Sequence, residues 1–194
     1  MQKLVFATKN LDKLKEIKEM TSSWDVEIIS MTDAGIDIEI EETGHSFEEN
    51  SIIKAEALKQ YTECIILADD SGLEVDYLNK EPGIYSARYL GEDTSFELKN
   101  KDILRRLDGV IDRTARFVCS MSIAQKGKQT VTVIGTIEGH IGHEIKGVNG
   151  FGYDPIFFID SDKSLAEVTS SEKNSISHRA HALELIKSIL DKWH

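Results

Sequence analysis

Cysteine, proline, aromatic residues, long apolar runs and positive charge are all scarce in this chain. Its 194 residues include two cysteines and two prolines, and 7% are aromatic. Cys64 and Cys119 sit inside apolar, strand-like segments, so they read as small reduced core thiols rather than disulfide or metal ligands. Pro82 and Pro155 lie far apart and no Ser- or Gly-rich stretch marks a linker, so residues 1–194 read as one domain. No apolar run approaches the roughly 20 residues of a membrane helix. The opening run Met1–Ala7 is too short for a secretory signal. These absences argue for a cytoplasmic protein without a membrane partner. Lys and Arg number 23 against 34 Asp and Glu, a formal net charge of -11. Such an excess repels a nucleic-acid backbone, which argues against DNA or RNA as a partner. A small anionic ligand stays possible wherever basic groups converge locally.

What remains is ordinary for a globular chain, with 40% hydrophobic and 29% charged residues. Lys3 to Ala7 reads as a strand, Asn10 to Met20 as a helix and Val26 to Ile29 as a short strand. Ser46-Phe47-Glu48-Glu49 is a capping box opening a helix to about Tyr61. Ser95 to Leu107 reads as helical. Ala115–Ala124 and Thr130–His140 read as paired strands around the turn Gln125–Lys128. A last helix is expected from near Ser177 to Trp193, with Leu183, Ile186 and Leu190 at helical spacing. Strands alternating with helices, then long strands, then a helix predict an α/β architecture with a mixed sheet.

Five segments carry chemistry. In Leu67-Ala68-Asp69-Asp70-Ser71-Gly72-Leu73-Glu74-Val75 two acids sit between apolar runs, at what reads as a junction between Ile65–Leu67 and Leu73–Val75. Adjacent carboxylates there need a cation or a proton to offset them, or else form a solvated turn, which Asp, Ser and Gly favour. Thr8-Lys9-Asn10-Leu11-Asp12-Lys13 follows the first strand. A strand-to-helix junction presents backbone N–H groups and the positive helix end, which suit a phosphate; a plain capped helix is the other reading. Glu41 and Glu42 precede the helix on which Asn50 and Lys54 share a face. With Asp69 and Asp70 they offer the hard oxygen ligands that Mg²⁺ takes beside substrate phosphates.

The glycine-rich loop Gly147–Phe158 permits close backbone approach, and Phe151 or Tyr153 could stack on a planar base or pack a tight turn. Lys173 to Arg179 places cations at the head of the last helix, where the dipole prefers anions, so something anionic should offset them. His45, His140, His143, His181 and His194 show no metal-ligand spacing.

The ordered set Thr8-Lys9-Asn10 with Lys13, Glu42-Thr43-Gly44 with Phe47–Asn50 and Lys54, Ala68–Leu73, Pro82–Tyr89, Phe151–Phe157 and Ser177-His178-Arg179 resembles the inosine triphosphate pyrophosphatase family over nearly the whole chain. The second position of the first motif carries Lys9 where that family usually has a neutral residue. The resemblance implies an elongated two-lobed α/β fold around a long mixed sheet, with a central nucleotide-binding cleft, usually as a homodimer. It implies Mg²⁺-dependent hydrolysis of ITP, dITP and XTP to the monophosphate and pyrophosphate, cleansing the nucleotide pool. Carried over by position, Thr8, Lys9, Asn10, Leu11, Asp12, Lys13, Lys54, Ser71 and Lys173 would hold the triphosphate. Glu41 and Asp70 would serve the metal, and Asp70 would also be the general base. Phe151, Gly152, Tyr153, Asp154, His178 and Arg179 would enclose the base, with Arg179 reading its 6-keto oxygen.

Two rivals are weaker. An aspartyl-phosphate phosphatase with Asp69 as nucleophile would want Asp-x-Asp spacing, which adjacent acids do not give. A nucleotide sensor would bind without turnover and would need no general base.

Overall fold

The structure is a computed structural model that describes residues 2–160 and 162–193; Met1, Ser161 and His194 lie outside the described residues. Among the described residues six strands form one sheet in the order β2-β1-β3-β4-β5-β6. They are β1 (Gln2–Phe6), β2 (Val26–Ser30), β3 (Ile65–Val75), β4 (Thr114–Ala124), β5 (Val131–Ile141) and β6 (Phe157–Phe158). β1 runs parallel to both β2 and β3, whereas β5 and β6 are antiparallel, so the sheet is mixed. The described residues also form five α-helices: α1 (Leu11–Met20), α2 (Phe47–Leu58), α3 (Phe96–Arg106), α4 (Ser170–Ile176) and α5 (His178–Leu190). Among the described residues no helix is long and apolar enough to cross a membrane.

The chain divides into two compact units. The first comprises residues 1–70, 119–135 and 179–194, and the second 71–118 and 136–178. In the first unit β1 and the start of β3 are apolar on both faces, as parallel strands covered on both sides must be. Successive side chains alternate in direction. Leu4, Phe6, Ile65 and Leu67 therefore join Leu14 and Ile17 of α1 and Leu183, Ile186 and Leu190 of α5 in one cluster. Val5, Ile66 and Ala68 join Ala55 and Leu58 of α2 in another. In the second unit Leu73, Val75, Phe117, Ile141 and Phe157 pack with Ile103 and Leu107 around α3.

Helix starts follow local chemistry. Asn10 caps α1, its Oδ1 accepting from the backbone N–H of Asp12 at 2.9 Å and of Lys13 at 3.0 Å. Ser46 caps α2 by accepting from the Glu49 N–H at 3.1 Å. The Glu49 carboxylate, however, reaches the N–H of His45 at 2.6 Å, one residue before the position a capping box assigns it.

β3 departs most from expectation. Instead of two short strands around a turn, Ile65–Val75 is a single strand with Asp69 and Asp70 buried inside it. Turn propensity is overridden because both carboxylates find tertiary partners. Cys119 is buried as expected, but Cys64 lies just outside β3 and is only half-buried.

Candidate functional site

Strand alternation in β3 separates the two acids. Asp70 continues the row of Ile66 and Ala68 toward α2, and Asp69 continues the row of Ile65 and Leu67 toward α1 and α5. Each carboxylate therefore has its own hydrogen-bonding side chains, while the charges of Lys13 and Lys54 act on both.

On the α2 side, Asn50 Nδ2 donates to Asp70 Oδ2 at 3.0 Å. Lys54 Nζ lies 3.5 Å from Asp70 Oδ1 and donates to Glu42 Oε1 at 2.7 Å. Burial raises the Asp70 pKa and Glu42 adds to the rise, while Lys54 works against them. Burial alone would lower the Lys54 pKa, but the charges of Asp70, Asp69 and Glu42 outweigh it and hold the ammonium protonated. Of the two loop glutamates the structure brings Glu42 to Lys54, whereas Glu41 is exposed.

On the other side, Lys13 Nζ lies 3.0 Å from Asp69 Oδ2 and Arg179 NH2 3.3 Å from the same atom. Arg179 NH1 reaches Glu16 at 2.5 Å. Burial pushes the Asp69 carboxyl up, yet Lys13 and Arg179 together hold it far below the usual range. The anions that offset Arg179 at the head of α5 thus include the protein's own Glu16 and Asp69. In the strand-to-helix junction Thr8 Oγ1 accepts from the Asn10 N–H at 3.1 Å. Lys9 extends to solvent, 3.6 Å from the exposed Asp37, and Leu11 and Asp12 are also exposed.

In the second unit the glycine-rich loop is fastened from within. Asp154 Oδ2 accepts from the Phe151 N–H at 2.9 Å and from Lys173 Nζ at 2.5 Å. The Lys173 ammonium also lies 4.7 Å from the Phe151 ring centre. Tyr153 is a core residue: its hydroxyl donates to Ser86 O at 2.8 Å and its ring meets Phe96 edge-on. Phe151 is half-buried and is the more accessible of the two aromatics. His178 is buried with its ring stacked on Phe117, centroids 4.9 Å apart. Ser71 is half-buried at the start of the unit.

Two supporting residues escaped the sequence reading. Glu16, which binds Arg179, lies three residues after Lys13 on α1, a spacing that puts both on one face. Asn100 donates to the Gly152 carbonyl at 3.1 Å. Its signal was a polar residue on the stripe Phe96, Asn100, Ile103, Leu107, where apolar side chains are expected. Among the described residues no group of three or more His, Cys, Asp and Glu side chains is arranged to hold a metal, and His45, His143 and His181 are exposed.

The chain is similar to proteins of known family. It is 48% identical over 195 residues to a dITP/XTP pyrophosphatase of Bacillus licheniformis, spanning 99% of this chain and 100% of the relative. It is 46% identical to a dITP/XTP pyrophosphatase of Bacillus subtilis, over 98% of both. The Staphylococcus aureus Ham1 protein has a solved structure that matches with a TM-score of 0.89 at 40% identity, over 100% of both chains. A Ham1 protein from Coxiella burnetii matches with a TM-score of 0.88 at 38% identity, over 99% of this chain and all of the other. The Ham1 family profile matches residues 4–189, and with these full-length likenesses it shows that the chain belongs to the Ham1 family.

Proposed function

We propose that this protein hydrolyses non-standard purine nucleoside triphosphates, dITP and XTP together with ITP, to the monophosphate and pyrophosphate. The full-length likeness to two dITP/XTP pyrophosphatases supports the substrate class. The observation that carries the chemistry is the buried Asp70 carboxylate, held between the Asn50 amide and the Lys54 ammonium. Its raised pKa suits a group that accepts a proton.

In this reading Asp70 orients the attacking water and takes its proton as the oxygen bonds to the α-phosphorus. The bond to the bridging oxygen breaks and pyrophosphate leaves. General-base catalysis of this kind contributes roughly 10²–10⁴-fold. Thr8 to Lys13, Lys54, Ser71 and Lys173 hold the triphosphate, and their lysines offset charge on the leaving group. Phe151 to Asp154, His178 and Arg179 serve the base, with Phe151 offering an aromatic face.

The acids fit Mg²⁺, which takes oxygen ligands and is commonly held by one or two carboxylates plus substrate phosphates. Asp70 and Glu41 would supply those carboxylates, since the Glu42 charge is already matched by Lys54 at 2.7 Å. Bound there, the cation would supply positive charge to the phosphate oxygens.

The test is product identity. Incubated with dITP or XTP and Mg²⁺, the protein should release pyrophosphate, detected as orthophosphate only after inorganic pyrophosphatase is added. Orthophosphate without that addition would mean γ-phosphate cleavage and would overturn the reading, and tight binding without turnover would make the protein a sensor. We further propose a homodimer, which rests on the family resemblance, and a cytoplasmic location, which the two free cysteines support.

A further inference from the structure

The loop carrying Glu41 and Glu42 and the strand carrying Asp70 are joined by two buried side chains, Lys54 through Glu42 and Asn50 through the Gly44 backbone. Asn50 is 0% exposed. Its Oδ1 accepts from the Gly44 N–H at 2.9 Å, and its Nδ2 donates to Asp70 Oδ2 at 3.0 Å. An amide has a donor end and an acceptor end, and only one orientation satisfies both neighbours. Turned over, it would set NH₂ against an N–H and its oxygen against a carboxylate. Gly44 is shaped to the same contact: a Cβ there would fall 2.6 Å from Asn50 Oδ1 and 2.7 Å from Glu49 Cβ. With the amide sealed from solvent, losing either bond would leave a buried polar group unpaired.

We infer that Asn50 is a positioning residue for the acidic site, its amide fixing the orientation of the Asp70 carboxylate and the distance of the Glu41–Gly44 loop from it. The inference rests on the reading of Asp70 given above. It accounts for the six-residue spacing of Gly44 and Asn50, which substrate contact alone leaves unexplained. Ser51, next in sequence and also 0% exposed, serves as the comparison. Its hydroxyl meets Ser120 at 3.0 Å and Ser122 at 2.8 Å and ties the same helix to β4.

The experiment uses the full chain and compares Asn50→Ala with Ser51→Ala. Three quantities are measured: steady-state kinetics with dITP and Mg²⁺, Mn²⁺ affinity by electron paramagnetic resonance without nucleotide, and the thermal midpoint. Removing a residue that orients a ligating carboxylate typically costs 10–100-fold in metal affinity or activity. Asn50→Ala should therefore lose roughly 10–100-fold in kcat and weaken Mn²⁺ by a similar factor, with KM for dITP within about threefold. Ser51→Ala should lower the midpoint while kcat per folded molecule and Mn²⁺ affinity stay near wild type. Unchanged kcat and Mn²⁺ affinity in Asn50→Ala overturn the inference, and so does a Ser51→Ala variant with the same losses. Should Asn50→Ala not fold, Gly44→Ala displaces the amide by contact and must show the same pair of losses, or the inference fails. A wild type that releases no pyrophosphate from dITP defeats the functional reading instead, and the Mn²⁺ comparison then decides on Asn50 by itself.

Discussion

Asp69 and Asp70 are neighbours in the chain but meet different helices, and isosteric substitutions should separate their roles. Asp70→Asn removes the proton acceptor and a hard ligand, so turnover of dITP should fall by roughly 10²–10⁴-fold. Lys54 keeps Glu42 as a partner in that variant, and the fold should stand. Asp69→Asn leaves Lys13 and Arg179 facing a neutral amide in a fully enclosed position. Breaking a buried ion pair by removing one partner costs about 3–5 kcal/mol, so denaturant unfolding should show the larger stability loss here. Comparable loss of turnover from both, at equal stability, would contradict the division. The loop acids divide in a similar way. Glu41→Gln should raise the Mg²⁺ concentration needed for half-maximal rate more than Glu42→Gln does, because Glu42 is matched by Lys54. A metal titration of the two variants checks this.

At the scale of elements, α1 joins cap chemistry to ligand chemistry. Asn10→Ala removes the acceptor of two backbone N–H groups, and caps of this kind are worth about 0.5–2 kcal/mol. Chemical denaturation should show that loss, and KM for dITP should rise as the Thr8–Lys13 turn loosens. Caps are also why this part of the fold was legible in the sequence: Asn10, Ser46 and Ser95 announce their helices through contacts within three residues. The continuity of β3 was not legible. Asp-Asp-Ser-Gly favours a turn by every local measure, and only distant partners on α1, α2 and α5 keep it extended. The site divides along the same line. Lys54 and Asn50 could be placed on one helix face from their spacing alone. The pairing of Arg179 with Glu16, 163 positions away in the chain, is visible only once α1 and α5 have packed on the sheet.

For the whole molecule, light scattering at micromolar concentration should give a mass near twice the chain's 21.8 kDa; a monomeric mass would remove the dimer proposal. The two units invite the idea that one could be prepared without the other, yet the chain crosses between them at 70/71, 118/119, 135/136 and 178/179. Three of those crossings fall inside strands β3, β4 and β5 and the fourth inside α5. No single cut of the polypeptide separates them, and neither unit corresponds to an uninterrupted stretch of gene. The residues proposed for the phosphates include Thr8 and Lys54 of the first unit and Lys173 of the second, so neither unit prepared as one segment would carry the full set.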